Sequence, residues 1–155
     1  MLIEEKIKTL GFSVPAPAKP LAAYIPAIQT GDLVFTSGQV PLQDGVILYT
    51  GQVPVELSVE DARKAAEICC LNCLAAIKGV AGSLDAIDRI IKVTVFVNSS
   101  AGFGDQPVVA NGASELLEKI FGDKGKHVRA AVGAAGLPKN SSVEIEMVVK
   151  LKPLN

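Results

Sequence analysis

The chain has 155 residues, 49% of them hydrophobic but only 5% aromatic, and a formal charge of −1. The near-neutral charge argues against a nucleic-acid binder, which needs clustered Lys and Arg. No apolar run reaches the ~18 residues of a membrane span. Acidic residues directly after the start, at Glu4 and Glu5, do not fit a signal peptide. We therefore expect one cytosolic domain over residues 1–155 with an aliphatic core.

The N-terminal half begins with a predicted helix, an extended segment and a hairpin. Residues 2–10 carry an apolar stripe that ends at Gly11, and prolines keep residues 12–23 extended. Residues 1–20 thus form a helix and an extended arm. Two short apolar runs, 24–29 and 33–37, flank the tight turn Gly31-Asp32, which predicts a β-hairpin.

Two long helices are predicted in the centre of the chain. Ser58 followed by Asp61 resembles a capping box and begins a helix that ends near Val80, with Gly79 and Gly82 as stops. The second helix runs from about residue 106 to 121, with Asp105 as its cap.

Three cysteines within five residues lie on the first of these helices. Cys70 and Cys73 have the spacing of a redox or metal pair, but there is no second pair and the only histidine is distant. The apolar positions alternate in steps of four and three along one stripe, which contains Ala62, Ala66, Cys69, Cys73, Ala76 and Val80. We expect core packing and no metal site.

Three strands complete the prediction. In residues 89–97, Ile91, Val93, Val95 and Val97 alternate with polar or aromatic residues, and further strands are expected at 127–134 and 143–152. The last strand is half-buried, with one apolar face formed by Val143, Ile145, Met147, Val149 and Leu151. This order of elements predicts an α+β sandwich with helices on one face of the sheet.

Arg129 is a lone charge in the apolar run 127–138. Its guanidinium suits a carboxylate or phosphate, and its neighbours offer few polar partners. Either a glutamate elsewhere in the fold or a ligand must satisfy it, and the pattern does not decide between them. His127 shares a strand face with Arg129, so it is either a structural or exposed histidine or lies near the mouth of a cleft.

Four segments together resemble the Rid (YjgF) family of imine deaminases. They are residues 35–41 (FTSGQVP), 93–97 (VTVFV), Arg129 eight residues before Leu137-Pro138, and 143–146 (VEIE). The resemblance implies a homotrimer of the chorismate-mutase-like fold, with a mixed sheet, two long helices on one face and a cleft at each subunit interface. It also implies hydrolysis of small 2-imino or 2-enamino acids to 2-oxo acids and ammonia, without a metal or organic cofactor.

The same resemblance assigns roles to individual residues. Arg129 would clamp the substrate carboxylate through two parallel hydrogen bonds. Ser37 and the Gly38 backbone would add donors, and the Tyr24 ring would cover the substrate side chain. The alternatives are an ordinary strand-end turn at Ser37-Gly38 and a half-buried strand position for Tyr24.

Glu144 matches the acidic position of the family's last strand, where it would hold the attacking water and relay a proton to the leaving nitrogen. Asn111 matches a position on the second long helix. Without the resemblance, both would be solvated polar residues. Ala131 stands where many members carry a cysteine, and the loop 98–105 is longer than in well-known members, which affects substrate range more than the core reaction.

Two other functions compete with deamination. A non-catalytic binder of small carboxylates would use the same arginine, and some family members are reported to be endoribonucleases. Near-neutral charge and the lack of a histidine-based acid/base pair argue against the nuclease. Apolar strands in excess of what one small core can bury favour self-association into the trimer.

Overall fold

The protein is described by a computed structural model for residues 1–17, 19 and 22–154. Its strands are β1 (Ala27–Thr30), β2 (Leu33–Thr36), β3 (Leu42–Gln43), β4 (Val46–Ile47), β5 (Ile87–Asn98), β6 (Val128–Ala134) and β7 (Val143–Leu151). Five of them form one sheet in the order β1-β2-β7-β5-β6, and β3 pairs with β4 separately. Only the β5–β6 pair of the large sheet is parallel, so the sheet is mixed, as expected.

Three helices accompany the sheet: α1 (Ile3–Thr9), α2 (Val59–Ala81) and α3 (Gln106–Phe121). Helices α2 and α3 pack against each other and on one sheet face, which confirms the predicted α+β arrangement. Helix α2 covers the predicted apolar residues of β7, and α3 packs on β5 and β6. The β7 residues are all buried: Val143, Ile145, Met147, Val149 and Leu151. Among the described residues, no helix combines the length and apolar character that crossing a bilayer requires.

The long helices begin and end close to the predicted positions. The Ser58 hydroxyl accepts the Asp61 N–H at 3.1 Å, and α2 ends before Gly82, whose φ of +80° suits glycine. At α3 the predicted side-chain cap is wrong. Asp105 has φ −95° and ψ 27°, away from the extended backbone that lets an N-cap side chain reach back, and it makes no capping hydrogen bond.

The predicted N-terminal helix and hairpin are present, but β1 begins at Ala27, so Tyr24 is not the half-buried strand residue of the alternative prediction. Gly31, with φ +58°, and Asp32 form the turn between β1 and β2. Helix α1 buries Ile7 but leaves Leu2 58% exposed, so Leu2 is not part of its buried stripe. The extended segment 12–23 contains no helix or strand in its described part, and Ala18, Pro20 and Leu21 lie outside the described residues.

One predicted alternation fails within β5. The pairing of β5 with β7 shifts between Ile90 and Lys92, which leaves Ile90 buried and Ile91 only partly covered. A β-bulge adds one residue to a strand and so reverses the face of every residue before it. Beyond the bulge, Val93, Val95 and Val97 are fully buried as predicted.

The cysteines belong to the core, as predicted. Cys69, Cys70 and Cys73 are all fully buried, and burial raises the pKa of each thiol, that of Cys73 to about 12. Thiols in this state are inert at neutral pH. The stripe does not extend to Val80, which is 39% exposed at the end of α2.

The contact between α2 and α3 requires a glycine. A Cβ at Gly112 would collide with the carbonyl oxygen of Arg63 and lie 3.0 Å from its carbonyl carbon. We expect Gly112→Ala to lower the free energy of unfolding by about 1–3 kcal/mol, because two backbones must separate. Urea unfolding would measure the loss. Gly104→Ala, which meets nothing within 4 Å, is the control and should be nearly neutral. Equal stabilities of the two variants would contradict this account.

Candidate functional site

Arg129 lies on β6, at the edge of the sheet, with an exposed side chain. Its Nη1 donates to Asn111 Oδ1 at 2.8 Å and to Ser114 Oγ at 3.1 Å, both on α3. No carboxylate oxygen of the described residues lies within 4.0 Å of the guanidinium. The alternative that a glutamate of the same chain neutralises Arg129 is therefore wrong for the described part of the chain. Asn111 is one of the two hydrogen-bond acceptors of Arg129 among the described residues.

His127 and Ser114 extend this group. His127 Nε2 lies 3.0 Å from Ser114 Oγ, and Nδ1 lies 2.6 Å from the Gly125 carbonyl oxygen. Burial, and to a smaller extent the Arg129 charge, lower the pKa of His127, which favours the neutral ring. Sequence reasoning did not identify Ser114. Its spacing of three residues from Asn111 on a helix was the available signal. A cleft of about 320 Å³ beside these residues is the Arg129 cleft.

A second and larger cleft, of about 860 Å³, contains Tyr24, Gly38, Gln39 and Glu144 along one part of its wall. This is the Glu144 cleft. Tyr24 is 55% exposed there, and Glu144 is half-buried. Partial burial, and secondarily the Glu146 carboxylate, raise the pKa of Glu144. A carboxylate with a raised pKa exchanges protons more readily near neutral pH.

Ser37 and Gly38 differ in what they can offer a ligand. The Ser37 hydroxyl donates to the Ile25 carbonyl at 2.6 Å, and its N–H donates to the Pro26 carbonyl at 2.8 Å. Both donors thus hold the segment before β1, which carries Tyr24, instead of pointing into the cleft. The Gly38 N–H donates to no other described residue, and the Glu144 carboxylate lies against this glycine. The available donor is therefore Gly38.

The two clefts lie apart in a single chain. Arg129 pairs with Val93 and Glu144 with Phe96, three residues further along β5, so their side chains leave opposite faces of the sheet. Their strands are also separated by β5, which places them roughly 10 Å apart across the sheet. One chain therefore brings Arg129 and Asn111 together, and Tyr24, Gly38 and Glu144 together, but does not unite the two groups. No cluster of three or more metal-ligating side chains occurs among the described residues.

Comparison with known proteins identifies the family. Residues 4–151 match the family described as "YjgF/chorismate_mutase-like, putative endoribonuclease". The chain is 38% identical to Protein TCP17 of Trypanosoma cruzi over 96% of its own length and 94% of that protein. It is 28% identical to a 2-iminobutanoate/2-iminopropanoate deaminase of Dermatophagoides farinae, over 90% of this chain and 94% of that one.

A solved structure agrees with these sequence matches. The protein Atu1372 of Agrobacterium tumefaciens, described as having unknown function, superimposes with a TM-score of 0.90. It is 43% identical, over 97% of this chain and 94% of that one. By sequence and by fold, the chain belongs to the YjgF (Rid) family.

Proposed function

We propose that this protein hydrolyses small 2-imino acids, or their 2-enamino tautomers, to 2-oxo acids and ammonia. The observation that carries the proposal is the state of Arg129. Both of its described hydrogen bonds leave from Nη1, and no described carboxylate neutralises it. Nη2 and Nε remain for a planar anion, which matches the fork of a guanidinium to a substrate carboxylate. The family relative named as an imine deaminase supports the same reaction.

The complete site requires two copies of the chain. The sheet face opposite the helices carries several apolar residues beside charged ones such as Lys92 and Glu146; the apolar residues are Ile28, Phe35, Phe96, Val128, Val132 and Val148. Val128 is 65% exposed and Ile28 56%, and an apolar surface of this kind is usually buried between subunits. Because β6 is the edge strand, cyclic packing in a homotrimer would place the Arg129 cleft at the edge of one copy beside the Glu144 cleft of the next.

The reaction then follows from the residues of the two clefts. Arg129 holds the substrate carboxylate, and the Gly38 N–H donates to the same end of the molecule. Glu144 takes a proton from water while the water oxygen forms a bond to the electrophilic C2. Glu144 passes this proton to the imine nitrogen, which becomes the amino group of a tetrahedral carbinolamine. It then takes the hydroxyl proton of this intermediate and delivers it to the nitrogen as the C2–N bond breaks, so ammonia leaves and C2 becomes the carbonyl carbon of the 2-oxo acid. Positioning of water and C2 supplies much of the acceleration.

The test is release of ammonia and 2-oxo acid from imino acids made in place by an amino-acid oxidase acting on several amino acids. The protein should accelerate their hydrolysis over buffer alone. Saturable binding of 2-oxo acids without acceleration would replace the proposal with a carboxylate binder. Cleavage of single-stranded RNA by the metal-free protein, without imine hydrolysis, would replace it with a nuclease.

The trimer is tested by mass in solution. Sedimentation should give three times the 16.1 kDa of one chain. Val128→Glu should yield monomers that keep their secondary structure, because a charge on the apolar face opposes its burial. Val80→Glu is the matched control, since Val80 is 39% exposed at the end of α2, in the helix layer and outside both clefts, and the variant should stay trimeric. A monomeric wild type at micromolar concentration would contradict the assembly.

Gly38→Ala should separate activity from stability. The added Cβ would collide with Glu144 Oε1 and lie 3.0 Å from its Cδ. Only the end of a flexible side chain must move, so the melting temperature should stay within about 2 °C while kcat/KM falls roughly tenfold or more. Gly136→Ala, with nothing within 4 Å of the new methyl group, is the control. Full activity in Gly38→Ala would show that the position of the Glu144 carboxylate does not matter.

A further inference from the structure

We propose that Ser114 and His127 are positioning residues for Arg129, which fix the guanidinium so that its unoccupied edge faces the ligand carboxylate. The inference rests on the carboxylate clamp of the proposed function. It adds Ser114 on α3, which contacts Arg129 directly, and His127 in the segment before β6, which contacts Ser114.

The direction of each hydrogen bond in this group is determined. The Gly125 carbonyl can only accept, so His127 Nδ1 carries the hydrogen across the 2.6 Å contact. In the neutral ring Nε2 is then an acceptor, and the Ser114 hydroxyl donates to it across 3.0 Å. This leaves the lone pairs of Ser114 Oγ for Arg129 Nη1 at 3.1 Å. Each hydrogen in this group therefore has one acceptor, and the hydrogen bonds have a single possible set of directions.

This arrangement constrains Arg129 from one side only. Asn111 and Ser114 lie one turn apart on α3, and both accept from the same nitrogen, Nη1. Two acceptors on a rigid helix hold the guanidinium plane, whereas one acceptor would let it turn. Without His127, the Ser114 hydroxyl could rotate and present its hydrogen, instead of a lone pair, to Nη1. The half-buried imidazole thus acts on Arg129 through Ser114.

Removal and rescue variants of the intact protein test the inference. Ser114→Ala removes the acceptor of Arg129, and Ser114→Thr keeps a hydroxyl. His127→Leu removes the acceptor of Ser114, and His127→Gln keeps an oxygen that can accept. The readouts are the Kd of pyruvate by calorimetry and the rotation rate of the Arg129 guanidinium by nitrogen NMR, assigned with Arg129→Lys.

Ser114→Ala and His127→Leu should each weaken pyruvate binding about three- to tenfold and speed guanidinium rotation, as loss of one hydrogen bond implies. Ser114→Thr and His127→Gln should stay within about twofold of wild type, and the double variant Ser114→Ala/His127→Leu should bind no more weakly than the weaker single variant. Unchanged Kd values, multiplied losses or failure of the rescue variants would overturn the inference.

These experiments distinguish a failure of the positioning role from a failure of the proposed deaminase activity. Pyruvate binding with the expected pattern, in a protein that does not accelerate imine hydrolysis, would support the positioning role and reject the deaminase. Active enzyme with Kd values and rotation rates unaffected in the variants would reject the positioning role and leave the deaminase standing. A wild type that binds no pyruvate would overturn the inference, since Arg129 would then hold no carboxylate.

Discussion

Arg129→Ala is expected to lower kcat/KM for 2-imino acids by at least about 10²-fold, because two charge-assisted hydrogen bonds to the substrate carboxylate are lost together. Stability should change little, since the side chain is exposed and forms no ion pair with the described residues. The measurement is 2-oxo acid release beside urea unfolding of the same protein. The kcat/KM of Arg129→Lys should lie between those of wild type and Arg129→Ala, because lysine keeps the charge but not the planar fork.

Arg89→Ala is the matched control for Arg129→Ala. Arg89 is likewise an exposed arginine on a strand of the sheet, but it lines neither cleft. It should keep the activity of wild type. An Arg129→Ala variant that deaminates at the wild-type rate would reject the clamp and with it the mechanism.

Glu144→Gln is expected to reduce kcat by about 10²- to 10⁴-fold, the usual contribution of a general acid–base group. Glutamine keeps the size and a hydrogen-bonding oxygen but can neither accept nor return the proton. In wild type, activity should fall as pH is lowered through the raised pKa of Glu144, because protonation removes the base. A pH profile of kcat/KM measures this. Glu146→Gln is the control. Glu146 lies two residues after Glu144 on β7 and outside both clefts, so this variant should retain activity.

The stability of Glu144→Gln should move in the opposite direction from its activity. A raised pKa means that the folded protein holds the proton more tightly than the unfolded chain does, so wild type loses stability as pH rises from the ordinary value of 4.5 through the raised pKa. Because glutamine does not ionise, the variant does not lose this stability, and its free energy of unfolding should rise relative to that of wild type over that pH range. Urea unfolding at several pH values would show the gain, and a loss would indicate a structural role for the carboxylate.

Mixing the two inactive variants tests the shared site directly. Arg129→Ala chains keep Glu144, and Glu144→Gln chains keep Arg129, so every mixed trimer would contain one complete interface. Equal co-expression should restore about a quarter of wild-type activity in the unfractionated protein if trimers assemble at random, and about a third in mixed trimers purified through two affinity tags. No restoration in purified mixed trimers would show that both residues act from the same chain.

Local patterns in the sequence were sufficient for most of the framework. The glycine-bearing turn at Gly31 and the cap at Ser58 depend on backbone conformations that neighbouring residues set, and they were predicted correctly. The alternation of β7 and the buried cysteine stripe on α2 follow from periodicity alone, because one face of each element must be buried. The side-chain cap at Asp105 failed, since its backbone does not take the extended conformation that such a cap needs.

The tertiary structure decided what these elements do together. The bulge near Ile91 depends on the pairing of β5 with β7, and no pattern within one strand reports the register of its neighbour. The opposite faces of Arg129 and Glu144 likewise follow from sheet order and register. From the sequence alone, the lone charge of Arg129 in an apolar run and the resemblance to the Rid family indicated the candidate site residues, because such features are local. Their division into two clefts, and the contacts of Ser114 with Arg129 and with His127, arise only when distant segments pack.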